Sequence, residues 1–393
     1  MTVKILFWLL TGIILYTYFG YTVILMIINL LRRMIQTRGT IVKIDELPEI
    51  SLVIAAYNEK DIISAKMSNI ESLDYPGEKL KVIWVTDGSD DGSVELLKRF
   101  ENITLLHQEK REGKSAAINR AMKKVSTPVT VLSDANTMLN REALIKVAEG
   151  FADGKVGCVA GEKRIYQARA ANAANAGEGS YWRYESMIKR LESGTGSAIG
   201  GAGELIAFRT SLFKDIPPGI INDDFTISLD IIRQGYRVKY CPEAFATEKG
   251  SRNMREETRR KVRISSGGIQ ILARNLDILN IFRYGFYTFQ YISHKVLRWT
   301  VVPLSIIPVF IVNILIILKG DSPADIYLIT FWLQSIFYLL VVTGGLLSNL
   351  AVRIKLIFLP YYLFSMNHAT IVGIIRYLSG GASPLWERSG RMT

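Results

Sequence analysis

KVIWVTDGSDDGSVELLKRF, residues 81–100, contains a strand-like run, a sharp turn and a helix-like run in direct succession. The strand-like run is apolar and ends at Asp87, and Gly88 with Ser89 lets the chain turn at once. A strand that leads directly into a helix is the first part of a βαβ unit. The stretch therefore predicts a parallel sheet covered by helices.

The same succession recurs on both sides of this stretch. Strand-like runs alternate with helix-like runs in the order ISLVIAAYNE (50–59), DIISAKMSNIESL (61–73), ITLLHQ (103–108), KSAAINRAMKKV (114–125) and TPVTVLSDAN (127–136). We therefore predict an α/β domain with a Rossmann-like, mostly parallel sheet. Ligands of such sheets bind at the C-terminal ends of the strands, which is where Glu59, Asp87 and Asp134 fall.

Long apolar runs flank this middle region. The chain has 393 residues, 49% of them hydrophobic, and residues 5–31, 299–318, 326–352 and 356–375 contain no charged side chain. A spanning helix needs roughly 20 apolar residues, so each run is long enough. The first run is too long for a cleaved signal peptide, which predicts a retained anchor. The last run could span the membrane or form a re-entrant or interfacial segment, and both interpretations stay open.

The formal net charge is +12, and the basic residues cluster beside the apolar runs. They are Arg32, Arg33 and Arg38, then the segment from Arg252 to Arg263, then Arg353 and Lys355. This placement favours lipid head groups and the positive-inside rule over nucleic acid. Cys158 and Cys241 lack metal-ligand spacing, which fits a reducing compartment.

These observations predict a multi-pass protein of the plasma or inner membrane with a cytoplasmic middle domain. We expect an N-terminal transmembrane anchor over residues 1–44 and the α/β domain over 45–263. An interfacial amphipathic segment should follow over 264–295, and a C-terminal region with two to three spans over 296–393.

Four residues at the first strand ends could hold a nucleoside. Ala55 is small enough for a planar ring to approach the backbone, Tyr57 could support that ring, and Glu59 and Asp87 offer carboxylates to a base or ribose. The alternative for both carboxylates is a structural one, because acidic residues also cap helices.

Three cations could hold a diphosphate. Lys114 stands at a predicted helix start, where a cation opposes the helix dipole unless an anion lies nearby. Arg260 and Arg263 are three residues apart and therefore share one helical face, where they could clamp the same group. The alternatives are a solvated lysine and a membrane-facing basic helix.

LSDANTML, residues 132–139, offers ligands for a hard divalent cation. Asp134 can supply a carboxylate and Asn136 a neutral carbonyl oxygen, and Mg²⁺ commonly takes one or two carboxylates together with substrate phosphates. The alternative is a turn that leads into the next helix.

NDDF, residues 222–225, places Asp223 and Asp224 together before a helix. Adjacent carboxylates repel, so one of them should have a raised pKa, which suits a general base. Asp224 is the predicted base, and an N-cap pair is the alternative. Upstream, SAIGGAGELIAFR (197–209) is rich in glycine, which lets backbone approach a ligand. We predict that Gly203, Glu204 and Asp223 bind the acceptor.

The order of these motifs resembles glycosyltransferase family 2, in its cellulose-synthase-like and poly-N-acetylglucosamine-synthase-like membrane branch. The likeness rests on VIAAYNE, VTDGSDDGS, GKSAAIN, DAN, GGAGELIAFR, NDDF and RRKVR, over about residues 48–275. It implies a GT-A fold, a UDP-linked sugar donor and Mg²⁺ or Mn²⁺. It also implies nucleoside contacts for Tyr57, Glu59 and Asp87, a nucleotide contact for Lys114, a metal-side carboxylate at Asp134 and a base at Asp224.

The sequence departs from the family pattern at two places. Asn136 replaces the second aspartate of an Asp-x-Asp motif, and Arg260 and Ile264 replace the glutamine and tryptophan of the Gln-x-x-Arg-Trp motif if Arg263 matches its arginine. The first departure bears on how tightly the metal ion binds. The second bears on whether synthesis is processive, because the family's motif accompanies processive synthesis.

The leading hypothesis is an inverting membrane glycosyltransferase that extends a β-linked polysaccharide at the cytoplasmic face and exports it. The alternatives are single sugar transfer to a lipid or lipid-linked acceptor and a non-catalytic nucleotide-binding subunit of a synthase. Expected partners are the lipid bilayer and either a second copy of the chain or an export protein, with no nucleic acid.

Overall fold

A computed structural model describes residues 2–35, 46–166, 173–251, 253–320, 325–348 and 355–385. Arg38, Arg252 and Arg353, which entered the charge argument above, lie outside these residues, as do residues 386–393.

The described strands form one sheet with the order β3-β2-β1-β4-β7-β6-β8-β5. Their bounds are β1 Ile50–Ala56, β2 Leu80–Asp87, β3 Ile103–Gln108, β4 Val129–Leu132, β5 Thr137–Leu139, β6 Val156–Tyr166, β7 Ile206–Arg209 and β8 Arg237–Lys249. β1 to β4 pair in parallel, as do β6 and β8, whereas β7 is antiparallel to β4 and β6, and β5 is antiparallel to β8. The predicted Rossmann-like sheet is confirmed, with antiparallel strands added on one side.

Helices cover both faces of this sheet and form the apolar flanks. They are α1 Thr2–Leu15, α2 Tyr21–Ile35, α3 Lys60–Glu71, α4 Ser93–Leu97, α5 Lys114–Met122, α6 Ala143–Gly150, α7 Ala173–Thr195, α8 Asp223–Arg233, α9 Met254–Arg274, α10 Ile281–Tyr284, α11 Phe286–Tyr291, α12 Leu297–Trp299, α13 Val301–Leu318, α14 Asp325–Leu347 and α15 Lys355–Leu378. Two π-helical turns, Tyr16–Gly20 and Ile292–Val296, continue α1 and α11.

The central strands are apolar on both faces because helices cover both sides. Leu52 and Trp84 pack in one core, whereas Val53, Ile83 and Val85 pack in the core on the opposite face. Alternate residues of a strand point to opposite faces, so a strand buried on both sides appears in the sequence as an unbroken apolar run.

Four described helical segments are long and apolar enough to cross a membrane: Thr2–Ile35, Val301–Leu318, Asp325–Leu347 and Leu356–Leu378. α1 packs against α13 through Phe7, Val309 and Val312.

The predicted boundary between residues 263 and 264 falls inside α9, which continues without a break to Arg274. Tyr287 and Tyr291, from the predicted interfacial segment, are buried in the core of the sheet domain. Phe282 of the same segment is almost fully exposed. The segment therefore contributes to the domain core as well as presenting an outer surface, and the domain division remains a prediction.

Candidate active site

Asp87, at the end of β2, is fully buried and holds the loop that precedes α5. Its Oδ2 accepts hydrogen bonds from the backbone N–H groups of Glu112 (3.0 Å) and Gly113 (2.7 Å). Its Oδ1 accepts a bond from Arg120 Nη2 at 3.0 Å. Both oxygens therefore shape the start of α5, which carries Lys114 into the cavity described below.

The residues predicted to hold the nucleoside lie at the ends of β1 and β2 but differ in their surroundings. Ala55 and Glu59 line a cavity of about 2100 Å³. The Arg111 guanidinium covers one face of Tyr57, with its Cζ 3.6 Å from the ring centroid. Tyr57 and Asp87 are not among the residues that line the cavity. Their nucleoside contacts stay predictions.

Lys114 bridges two carboxylates at one wall of this cavity. Its Nζ lies 2.6 Å from Asp134 Oδ1 and 3.6 Å from Asp223 Oδ2. Burial lowers the pKa of the Lys114 ammonium, but the charges of Asp134 and Asp223 outweigh burial and raise it. Burial also raises the pKa of Asp134, which Lys114 opposes. The structure thus joins three sequence-predicted residues from different elements.

Asp224 stands next to this group at the first turn of α8. Burial, followed by the charge of Asp223, raises the pKa of Asp224 to about 7. The Gly203 backbone passes close by, because a Cβ added there would lie 3.3 Å from Lys114 Nζ and 3.7 Å from Asp224 Oδ2. A carboxyl with this pKa can take a proton from a hydroxyl near neutral pH.

Asn136 donates its amide N–H to Glu248 Oε1 at 3.2 Å. Glu248 in turn pairs with Lys163, which also pairs with Glu204. Lys163 and Glu248 are almost fully buried on β6 and β8. The residue that replaces the second aspartate is therefore tied to a buried ion-pair cluster, which we call the Lys163 cluster (Lys163, Glu204 and Glu248).

Arg260 and Arg263 share a helical face, as predicted, but their partners differ. Arg260 pairs with Glu178 and with Glu257, the latter at 3.0 Å. Within the described residues, Arg263 has no ion pair or hydrogen bond, and it lines the cavity. Burial lowers the pKa of the Arg263 guanidinium, and the negative charge that opposes this most strongly is that of Asp223. Of the two arginines, Arg263 is therefore the one whose guanidinium is not paired with a described carboxylate, and its contact with a diphosphate stays a prediction.

A divalent cation fits this site only with help from a ligand. No group of three His, Cys, Asp or Glu side chains within the described residues could hold a metal ion. Asp134 supplies one hard oxygen donor at the cavity wall, and the buried Oδ2 of Asp223 has no hydrogen-bond donor among the described residues. One or two carboxylate oxygens are enough for Mg²⁺ when phosphates complete the shell.

Several residues that organise the site were not predicted from the sequence. Arg120 fixes Asp87, and Lys66 supports the turn at Asp134 by donating to Ser133 Oγ (2.8 Å) and Thr137 O (2.6 Å). A lysine on the apolar face of α3 was the available signal for Lys66. Nothing in the local pattern distinguishes Arg120 from a surface residue.

A mixed sheet with acidic side chains at its strand ends, a large cavity beside them and flanking helices long and apolar enough to cross a membrane define a protein of the GT-A glycosyltransferase fold. The family model described as glycosyltransferase like family 2 matches residues 48–267. The chain belongs to this family.

The chain is also similar to characterised proteins. It is 29% identical over 244 residues to a poly-beta-1,6-N-acetyl-D-glucosamine synthase of Staphylococcus aureus strain MSSA476, covering 60% of this chain and 58% of the synthase. It is 27% identical over 236 residues to the Staphylococcus epidermidis synthase, covering 58% and 56%. The match thus spans less than two thirds of each synthase.

One solved structure matches almost end to end. It is the mannosyltransferase PcManGT from Pyrobaculum calidifontis in complex with GDP-Man and Mn²⁺, at a TM-score of 0.70 and 20% identity. The match covers 96% of this chain and 99% of that protein, so the likeness of fold includes the apolar helices.

Proposed function

We propose that this protein is an inverting membrane glycosyltransferase that transfers a sugar from a UDP-sugar to a growing β-linked polysaccharide at the cytoplasmic face. The observation that carries the proposal is that Asp224, with its raised pKa, lines the same cavity as Lys114 and Asp134. A base and a diphosphate site therefore meet at one place. Similarity to the staphylococcal synthases supports a β-linked polysaccharide as the product.

In the proposed reaction Asp224 accepts the proton of an acceptor hydroxyl. The oxygen then forms a bond to the anomeric carbon while the bond from that carbon to the diphosphate oxygen breaks. UDP departs with the electron pair, so an α-linked donor gives a β-linkage. Gly203 brings bare backbone beside Asp224, and we propose that Gly203, Glu204 and Asp223 position the acceptor.

Lys114 and Arg263 would neutralise the charge that grows on the leaving diphosphate. Lys114 already bridges Asp134 and Asp223, and Arg263 lines the cavity on α9. We assign Arg260 a supporting role, because its guanidinium is held by Glu178 and Glu257. Ala55, Tyr57, Glu59 and Asp87 form the proposed nucleoside end.

Asp134 is the proposed metal ligand, with Asn136 beside it. A Mg²⁺ or Mn²⁺ ion bound there together with the diphosphate would add positive charge at the leaving group. We expect Mn²⁺ to bind measurably in calorimetry only when UDP is present, and Asp134→Asn to abolish that binding. Tight Mn²⁺ binding without nucleotide would contradict a site built from one ligand carboxylate.

The activity itself is tested by UDP release from purified protein with Mn²⁺ and a panel of labelled UDP-sugars. We expect release with one donor and a ladder of growing chains as product. If no donor gives UDP release, the chain is instead the non-catalytic subunit considered above.

Sugar transfer to a lipid-linked acceptor is the second candidate function. The observation that favours it is the extent of the cavity, which runs from Asp134 to apolar residues of α13, α14 and α15 such as Val309, Leu333 and Leu363. A single product that partitions into organic solvent would identify this reaction.

A further inference from the structure

The cavity changes character along its length. At the strand ends it is lined by carboxylates and cations, including Asp134, Asp224 and Arg263. Between the apolar helices it is lined by side chains such as Phe337 and Leu359. A ligand that fills the whole space must therefore be polar at one end and hydrocarbon at the other.

Three further cations line the cavity: Lys189 on α7, Lys295 on the π-helical turn Ile292–Val296, and Arg298 on α12, which directly precedes the apolar helix α13. We call them the cationic cluster. Lys189 and Lys295 are buried, and the Arg298 side chain is 10% exposed.

Among the residues that the structure describes, Glu185 is the one carboxylate in direct contact with the cluster. Its Oε1 lies 2.8 Å from Lys295 Nζ and its Oε2 lies 2.7 Å from Arg298 Nη1. The same Oε1 lies 3.0 Å from His294 Nε2. Both oxygens of Glu185 are therefore already engaged.

Lys189 has no ion pair among the described residues. Its one hydrogen bond there is a long one, 3.5 Å from Nζ to Gly201 O. Burial lowers the pKa of the Lys189 ammonium; among the carboxylates, the charge of Glu185 opposes this most, followed by those of Asp224 and Glu204, and Glu204 pairs with Lys163. Three buried basic side chains thus have Glu185 as the one carboxylate in contact with any of them among the described residues, and an anion bound beside them would offset the cost of burying their charge.

We propose that the cationic cluster binds the phosphate group of a lipid-linked saccharide acceptor, whose hydrocarbon chain lies between the apolar helices. The sugar of this acceptor would extend to Asp224, which takes the proton of its hydroxyl as the new glycosidic bond forms and UDP leaves. This inference rests on the proposed glycosyl transfer and names its acceptor class. It applies equally to one sugar addition and to a polymer that grows on a lipid anchor.

Calorimetry on the purified full-length protein in detergent tests the site with three probes: a polyprenyl phosphate, the polyprenol of the same chain length, and inorganic phosphate. We expect the polyprenyl phosphate to bind most tightly. Lys189→Met should weaken its binding roughly 10- to 100-fold and leave polyprenol binding unchanged, because one charged contact to the phosphate is lost. Lys189→Arg should retain most of the affinity.

Lys239→Met is the matched control, because Lys239 is exposed on β8 and does not line the cavity. Lys189→Met should not lower the melting temperature, since it removes a buried charge that lacks a partner. Its affinity for UDP should also stay unchanged.

Equal affinities for polyprenyl phosphate and polyprenol would overturn the proposal, as would equal losses in Lys189→Met and Lys239→Met. Binding of inorganic phosphate as tight as that of the lipid would identify a free-anion site and overturn the lipid assignment. Failure of the wild-type protein to bind UDP would instead count against glycosyl transfer itself.

Discussion

Two neighbouring aspartates at the start of α8 have different surroundings. Asp223 Oδ2 lies 3.6 Å from Lys114 Nζ, whereas Asp224 Oδ1 accepts a hydrogen bond from the backbone N–H of Phe225. Burial and the charge of Asp223 raise the pKa of Asp224. Asp223 therefore has a lysine partner, whereas Asp224, the next residue in the same helical turn, is suited to proton transfer.

The pKa of Asp224 predicts the pH dependence of the reaction. The base works when deprotonated, so kcat/KM should fall as the pH drops below about 7. Asp223→Asn removes a neighbouring negative charge, which lowers the pKa of Asp224 and should shift this acid limb to lower pH. Asp224→Asn should reduce the rate by roughly 10²- to 10⁴-fold.

Asp215→Asn, at an exposed position, serves as the control and should leave the profile unchanged. An acid limb that stays in place in Asp223→Asn would exclude Asp224 as the group that titrates.

Asn136 and Glu248 are expected to be energetically coupled. Asn136→Asp would place a second carboxylate against the buried Glu248, so we expect a loss of roughly 1–3 kcal/mol in the free energy of unfolding. Adding Glu248→Gln supplies an amide donor to that carboxylate. The double variant should therefore be more stable than the sum of the two single changes predicts. Denaturant unfolding of the four proteins measures this coupling, and simple additivity would contradict it.

α9 and α15 pack closely because small residues meet where they touch. A Cβ added to Gly373 would lie 2.7 Å from Ser265 Cβ and 3.0 Å from Val262 O. Ser266 Oγ donates to Gly373 O at 3.0 Å, and Tyr362 Oη donates to Glu257 Oε1 at 3.0 Å. Since α9 also carries Arg263, this contact positions a site residue from the apolar region.

Gly373→Val should separate α9 from α15. Overpacking of this kind costs roughly 1–3 kcal/mol, so we expect a lower melting temperature together with weaker UDP binding. Gly12→Val is the control, because no atom lies within 4 Å of a Cβ added to Gly12. Equal melting temperatures for the two variants would show that the close approach is unimportant.

The contacts at the two ends of α15, the last apolar helix, indicate how this helix lies relative to the membrane. By length and composition Leu356–Leu378 could cross a membrane. However, its beginning packs against the end of α14, where a Cβ on Gly344 would meet Tyr361. The residues beyond its end return to the sheet domain, where Pro384 O would lie 3.5 Å from a Cβ on Gly113. We infer that α15 lies along the membrane surface on the catalytic side.

Cysteine labelling in sealed vesicles tests this topology, since Cys158 and Cys241 are both buried and give little background. Ser379→Cys should be labelled from the same side as Lys98→Cys, an exposed position of the sheet domain. Lys319→Cys, at the turn after α13, should be labelled from the opposite side. If Ser379→Cys and Lys319→Cys react from one side, α15 crosses the membrane.

Local patterns in the chain predict the α/β sheet, the apolar helices and the strand ends that carry Asp87 and Asp134. These features depend on periodicity and turn residues within short stretches, where neighbours along the chain set the local structure. The sequence also identifies Asp223 and Asp224 as a pair, because they are adjacent in the chain.

Which polar groups are available to a ligand depends on contacts between distant parts of the chain. Arg260 forms an ion pair with Glu178, whereas Arg263 forms none among the described residues. Asn136 donates a hydrogen bond to Glu248, which lies 112 residues further along the chain. The surroundings of Lys189 likewise depend on side chains from separate elements, such as Glu185 and Lys295. Pairing energies depend on distances between atoms that folding brings together, and a local sequence pattern does not contain those distances.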